Sequence, residues 1–372
     1  MKKLGFGLMR LPLSNALDST DINMKEMARM VDLFINSGFT YFDTAWPYHN
    51  GHSETAFRES VAKRYSHTQF TVTDKMPCWE VQTEADLEHI FNQQLERCGV
   101  EYFDYYWLHA LNKSYYQIMQ RVDGFGFISR KKAEGKIRHI GFSFHDEPAL
   151  LEEILKDHPE VEYVQLQINY LDWLSPTVQS KACYDICTKH QKPIIVMEPV
   201  KGGSLATVPE SVEKMFRDYN PTASSSSWAV RYAASLPNVM MVLSGMSNYE
   251  QMQDNTHFMK DFIPLNEREQ EIIGVAEGII NHSIAIPCTA CHYCTDGCPQ
   301  NICIPEYFNL YNTIKHFGHE QQWMNTSVHY AMLSKTHGLA SDCIACGQCE
   351  DHCPQHLPII ENLKDVVQMF EH

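Results

Sequence analysis

"TYFDTAWPYHNGHSETAFRESVAKRYSHTQFTVTDK", residues 40–75, decides the fold. TYFDTA and FTVTDK are short β-rich runs, and SETAFRESVAKRY between them carries apolar residues at helical steps. The same alternation extends in both directions, from the start of the chain to about residue 260. Its β-rich runs are LGFGLM, TYFDTA, FTVTDK, FDYYWLH, IRHIGFS, EYVQLQI, PIIVMEP and VMMVLSG. Helical stretches separate them, such as EADLEHIFNQQLERCG with Leu87, Ile90, Phe91 and Leu95 at three- and four-residue steps, and the segment 115–136. Eight strands, each followed by a helix, predict an α/β fold, a closed (β/α)8 TIM barrel of about 250 residues. An open doubly wound sheet is the alternative, but it would bring a glycine-rich turn after its first strand, and no GxGxxG occurs there.

The 372 residues leave room for a small module beyond the barrel, and 44% hydrophobic with 20% charged residues suffices for a core without disulfides. Acidic residues outnumber basic ones 46 to 30, a formal charge of −16 that repels nucleic acid phosphates and anionic membrane surfaces. Neither partner is expected. The opening "MKKLGFGLMRLPL" is interrupted by Arg10, Gly and Pro, so it lacks a signal-peptide core, and no apolar run approaches the roughly 18 residues of a membrane span. A cytoplasmic location is the expectation.

Barrel chemistry gathers at the C-terminal ends of the strands. Asp43 ends the second strand, Lys75 the third and His109 the fourth, and Tyr48 follows five residues beyond Asp43. Buried Lys and Asp are tolerated mainly as a pair, and such a pair beside a phenol is expected to depress the phenol's pKa. Tyr48 is then a general acid, and His109 is placed to hydrogen-bond and orient a carbonyl oxygen. Singly, these residues also read as a structural ion pair, a loop aromatic and a core histidine. Their order on successive strands favours the catalytic reading.

With "GFGLMRLP", "YFDTAWPYHNGHSE", "TDK", "YWLHAL", "GKIRHIGFSFH", "QLQINY", "MEPVKGG" and "LSGMSNYEQMQDN", residues 1–260 resemble the aldo-keto reductase family. The resemblance implies that Asp43, Tyr48, Lys75 and His109 form the catalytic tetrad, with Tyr48 the proton donor to a small carbonyl or alcohol substrate. It implies a nicotinamide bound without a Rossmann fold: Ser143 and Gln167 on the carboxamide with Asn169 nearby, and the segment 200–205, with Gly202 and Gly203, on the pyrophosphate. Residues 244–255, including Ser244, Gly245, Ser247, Gln251 and Asn255, would wrap the adenosine. Met197 stands where an aromatic often stacks on the nicotinamide, a softer contact. Gly245, Met246, Ser247, Asn248 and Gln251 stand where NADP-preferring members carry Lys and Arg, so discrimination for the 2′-phosphate weakens and both NADP and NAD stay open. Arg10 either charges the barrel mouth or is structural. Trp46, Trp79, Tyr115 and Tyr116 are candidates for an apolar substrate pocket, or packing.

Nine of the 13 cysteines fall between Cys288 and Cys353. Cys288, Cys291, Cys294, Cys298 and Pro299 spell C-x2-C-x2-C-x3-C-P, and Cys343, Cys346, Cys349, Cys353 and Pro354 repeat it. In two-cluster proteins, the fourth cysteine of such a run ligates the other cluster. Cys288, Cys291, Cys294 and Cys353 are therefore expected on one [4Fe-4S] cluster, and Cys343, Cys346, Cys349 and Cys298 on the other. Zinc and a disulfide knot are the competing readings. Cys303 lies outside the pattern and is read as no ligand; Cys78, Cys98, Cys183 and Cys187 read as packing. Two helices are expected between the arrays, with His316, His319, His329 and His337 on solvated faces, and a closing helix after them. The region resembles helical two-cluster ferredoxin modules. The expected domains are 1–276, the barrel, and 277–372, a small, mainly helical ferredoxin-type domain.

Clusters pass electrons singly, whereas a nicotinamide moves a hydride. A flavin is one mediator between them, although no linear flavin motif is visible. The leading expectation is a nicotinamide-dependent carbonyl/alcohol oxidoreductase coupled to electron transfer, with a redox partner protein. The alternatives are structural or redox-sensing clusters, and an electron-transfer protein whose barrel is a binding platform.

Overall fold

The computed structural model of the chain describes residues 2–15, 18–317 and 319–371, without the side chains of 282–283 and 316–325. Eight strands, β1 (Leu4–Gly7), β2 (Tyr41–Asp43), β3 (Thr71–Met76), β4 (Phe103–Leu111), β5 (Ile137–Phe144), β6 (Tyr163–Gln167), β7 (Ile194–Met197) and β8 (Val239–Gly245), form a closed barrel in sequence order. Every neighbour pairs in parallel, and β8 closes on β1 from Leu4 against Val242 to Gly7 against Gly245.

Alternation along each strand decides what enters the barrel. Tyr41, Tyr105, Trp107, Ile195, Met241 and Leu243 pack into one buried cluster, and Thr73 Oγ1 donates to Tyr41 Oη at 2.6 Å. Two residues beyond Tyr41, Thr73 and Trp107, on the same side of their strands, come Asp43, Lys75 and His109. The residues between point outward: Phe6 and Phe42 meet Phe34 of the helix Met24–Asn36 at 5.9 and 5.2 Å between ring centres. That helix starts where Asn23 accepts from Glu26 N at 3.0 Å. The helix Glu84–Cys98 starts at a Thr83–Asp86 capping box and stops at Gly99, whose φ of 68° is the left-handed cap glycine favours. The single helix expected over 115–136 is two, Lys113–Arg121 and Gly124–Ala133, broken where Asp123 takes a φ of 53°.

The chain forms two compact units. The first holds the residues up to Ser175, Gln179–Pro199 and Ser226–Asn266; the second holds Pro176–Val178, Val200–Ser225 and the chain from Glu267 onward. The division is thus more than one cut at 276/277, because a segment from within the barrel's span of sequence folds with the cysteine-rich region. A Cβ at Gly202, whose φ is 65°, would stand 2.3 Å from Thr289 O, so backbone is pressed on backbone there. The second unit contains the helices Glu210–Tyr219, Glu267–Ser283, Ile304–Phe317, His319–Leu333 and Ile359–Phe370. Its core includes Ile302, Ile304, Tyr307, Phe308, Tyr330, Leu357, Ile359, Leu363 and Val366. His329 is exposed and His337 half-buried; the side chains of His316 and His319 lie outside the described residues.

Candidate active site and cluster sites

At the C-terminal ends of β2 and β3, Lys75 Nζ donates to Asp43 Oδ1 at 2.6 Å and to Thr44 O at 2.7 Å, and lies 3.5 Å from Tyr48 Oη. Asp43 and Lys75 are 2% and 1% exposed. The last distance is a charge–dipole contact rather than a well-formed hydrogen bond. Lys75 is clamped from behind: its N–H donates to Asp74 Oδ1 at 2.8 Å, and its carbonyl accepts from Gln94 Nε2 at 2.9 Å. His109, 3% exposed, stands with its ring centre 6.0 Å from that of Tyr48, edge to face. At His109 the pairing of β4 with β5 shifts register, Ala110 takes a φ of 57°, and Ala110 N donates to Ser143 Oγ at 2.7 Å. Such an irregularity re-aims a side chain at a strand end. The fold therefore brings the four residues together.

Their electrostatics correct one expectation. The Tyr48 phenol is not depressed; it is held well above its ordinary pKa by burial and by the Asp43, Glu198 and Asp74 carboxylates, with Arg10 pulling the other way. Negative neighbours and desolvation both disfavour a phenolate, so Tyr48 keeps its proton at neutral pH. Burial, assisted by Lys75 and His145, pushes His109 well below the usual imidazole range, leaving it neutral. Among the described residues, neither Asp43 Oδ2 nor His109 Nδ1 has a hydrogen-bond partner.

Trp79 packs 5.2 Å from His109 and 5.8 Å from Tyr115, ring centre to ring centre. Trp46 instead lies under the Arg97 guanidinium at 3.9 Å, and Tyr116 is buried with its hydroxyl on Asp157 Oδ2 at 2.9 Å. Of the four candidate aromatics, Trp79 thus meets His109, and Tyr115 packs behind Trp79.

Ser143 is the last residue but one of β5, Gln167 ends β6 and Met197, partly exposed, ends β7. Gln167 Nε2 and Asn169 Nδ2 both donate to Asp172 Oδ2, at 2.7 and 2.6 Å. Sequence reasoning missed this buried carboxylate; the local signal was Asn169, whose Oδ1 accepts from Leu171 N and Asp172 N in an Asx turn. Glu198, also missed, meets Arg10 Nη2 at 3.4 Å. Arg10's stem lies over Gly245, where a Cβ would be 3.3 Å from Arg10 Cδ. Ser247 N donates to Gln251 Oε1 at 2.7 Å, Ser244 Oγ donates to Asn255 Oδ1 at 2.8 Å, and Asn248 caps the helix Tyr249–Lys260. Gly202 and Gly203 belong to the second unit; beside Gly203 a Cβ would meet nothing within 4 Å.

In the second unit, Cys288, Cys291, Cys294 and Cys353 line one cavity, with Thr289, Phe308 and Gln355. Cys298, Cys343, Cys346 and Cys349 line another, with Ile344 and Gly347. Each cavity thus takes three cysteines from one array and one from the other, and Ile304 lines both. Among the described residues no three ligating side chains converge closely enough to grip a single ion; the sulfurs ring a cavity, as a cubane requires. Cys303 lines neither cavity and is buried against Tyr307, its thiol pushed up to about 11 by burial. Burial likewise pushes Cys183 up to about 12, the state of an inert packing thiol.

Residues 3–274 match the aldo/keto reductase family, and residues 287–357 match a 4Fe-4S dicluster domain. The uncharacterized oxidoreductase YqkF of Bacillus subtilis is 24% identical over 260 residues, 61% of this chain and 79% of YqkF. The holo form of aldo-keto reductase AKR11C1 from Bacillus halodurans superposes with a TM-score of 0.58 at 22% identity, over 74% of this chain and 91% of that one. An aldo-keto reductase from Klebsiella pneumoniae, solved with NADPH, gives 0.58 at 16% identity, with the same two coverages. At such identities the likeness is one of fold. No described helix is long and apolar enough to cross a membrane. The match over most of the chain shows that this protein belongs to the aldo/keto reductase family, an NAD(P)-dependent oxidoreductase that also carries a dicluster domain for two [4Fe-4S] clusters.

Proposed function

We propose that the barrel interconverts a small carbonyl compound and its alcohol with Tyr48 as general acid, and that the two clusters relay single electrons. The observation that carries the first half is Lys75, whose ammonium bridges Asp43 Oδ1 at 2.6 Å and faces Tyr48 Oη at 3.5 Å. Bound nicotinamide would supply the hydride; Ser143, Gln167 and Asn169 would hold its carboxamide, with Met197 against the ring. The unpartnered, buried His109 Nδ1 and Asp43 Oδ2 fit a site that a ligand completes. Tyr48, protonated at neutral pH, hands its Oη proton to the substrate oxygen, and Lys75 stabilises the phenolate left behind. His109, neutral, orients that oxygen by hydrogen bonding, and Trp79 and Tyr115 bound the apolar side of the pocket. NADP is the preferred cofactor: Arg10 brings a cation beside Gly245, and the Klebsiella pneumoniae relative was solved with NADPH.

Each cavity offers four cysteine sulfurs, the number a [4Fe-4S] cluster takes, so we assign the eight cysteines as ligands in the crossed grouping. A redox partner protein would supply or remove the electrons, and a flavin or a radical-tolerant substrate would link them to hydride chemistry. A second reading, clusters as a brace, is favoured by one observation: Cys353 belongs to the second unit's core, and Cys288, Cys294, Cys298, Cys343 and Cys349 pack against it.

Anaerobically purified Tyr48→Phe tests the barrel. Turnover with NADPH is expected to fall about 10²–10⁴-fold, with NADPH affinity kept in calorimetry; near-normal turnover would sink the assignment. A thermal-shift comparison of NAD, NADP, FMN and FAD identifies which cofactor the barrel accepts.

A further inference from the structure

The two cysteine-ringed cavities are not equivalent. Around the first, Thr289 and Gln355 are 2% and 3% exposed. The Val200–Ser225 segment of the same unit packs on one side of it: Gly202 lies against Thr289 O, and Lys201, 4% exposed, sets Nζ 3.4 Å from Gln355 Oε1. Around the second, Cys346 is exposed and Ile344 is 60% exposed. Neither ligand-bearing segment, 288–303 or 339–358, contains a Lys or Arg; the first carries one acid, Asp296, and the second carries three, Asp342, Glu350 and Asp351. Asp342 and Asp351 are exposed. Lys201 thus packs beside the first cavity, and next to the second array the exposed Ile344 stands in sequence between the exposed carboxylates Asp342 and Asp351.

A buried positive charge stabilises an added electron, and low dielectric strengthens the effect. An exposed, acidic rim with an apolar centre attracts a cationic partner by electrostatic steering. We propose that the Cys298/Cys343/Cys346/Cys349 site is the port on which a one-electron carrier with a basic rim docks over Ile344, and that the Cys288/Cys291/Cys294/Cys353 site, biased by Lys201, receives the electron from it. Ile304, shared by both cavities, is the wall the electron crosses. In each transfer the carrier loses one electron and the port gains it, then the port loses it to the inner site; no bond or proton moves. The inference rests on the relay reading above.

Reduced methyl viologen, a cationic one-electron donor, is the probe, mixed anaerobically with the full-length, cluster-loaded protein. Stopped-flow absorbance and rapid-freeze electron paramagnetic resonance follow reduction. Cys291→Ala disables the inner site and Cys346→Ala the port. The site left in Cys291→Ala should be reduced at the fast wild-type rate, and that left in Cys346→Ala about tenfold more slowly, the low end of steered association. Asp351→Lys keeps every ligand and should slow the fast phase about tenfold at low salt, a difference that high salt removes. Lys201→Met should shift the equilibrium electron toward the port by about tenfold, about 59 mV for a one-electron couple. Equal or reversed rates in the two cysteine variants overturn the order, and indifference to Asp351→Lys overturns the docking surface. If the cysteine variants do not assemble, the Asp351 and Lys201 variants decide. Wild-type clusters that no reductant reduces, with nicotinamide-dependent turnover intact, would overturn the relay itself.

Discussion

At the scale of single residues, the Asp43–Lys75 pair is the most consequential contact in the barrel. Both groups are nearly fully buried, so removing one leaves the other charged in a poor solvent. Lys75→Met is expected to lower unfolding stability by about 3–5 kcal/mol as well as to abolish turnover, checked by chemical denaturation of the barrel followed by tryptophan fluorescence. Asp43 and Lys75 were legible as polar residues closing β-rich runs. The direction of the Tyr48 shift was not, because it is set first by burial and then by the Asp43, Glu198 and Asp74 carboxylates that the folded barrel gathers around the phenol. His109 gives a pH test. Its folded pKa lies below the unfolded one, so its contribution is present above the unfolded value and is lost as pH falls toward the folded value. Wild-type stability should drop below about pH 6.5 by up to about 1.4 kcal/mol per unit from this group, and His109→Gln should remove that component.

At the scale of elements, all eight strands were readable because a parallel strand buried on both faces needs a continuous β-rich run. Breaks inside helical stretches were less readable: Asp123 in a left-handed conformation splits 115–136, and polar residues adopt that conformation without any strong sequence mark. The segment Val200–Ser225 folds with the second unit, which no local pattern in its sequence marks. Its glycines are expected at a pyrophosphate, and the structure adds a separate constraint on Gly202 in the close approach of the Thr289 backbone. Gly202→Ala combines a φ of 65° with a Cβ 2.3 Å from Thr289 O. It is expected to cost about 1–3 kcal/mol and to lower the iron content of purified protein, measured by iron analysis and thermal melts.

At the scale of the whole molecule, two compact units with separate cores predict two unfolding events. The intact protein should contain about eight iron per chain. Chelation under reducing, anaerobic conditions should abolish the lower-stability transition of the second unit, since thiolates without their cluster leave a small core with two unfilled cavities. The barrel's transition should persist. Calorimetry and limited proteolysis would read this, with new cleavage expected in Val200–Ser225 as well as beyond Glu267, because both fold together. A single transition lost as a whole would mean one cooperative unit.

The sequence by itself determined the barrel, the residues at its strand ends and the two cysteine arrays, because each rests on short-range periodicity or spacing. Only the tertiary structure decided that Tyr48 is held protonated, that Asp172 grips Gln167 and Asn169, that Val200–Ser225 folds with the cysteine-rich unit, and that Lys201 packs beside one cavity while Cys346 of the other is exposed. These depend on charges and backbone brought together from distant parts of the chain, and such distances are set by packing rather than by local pattern.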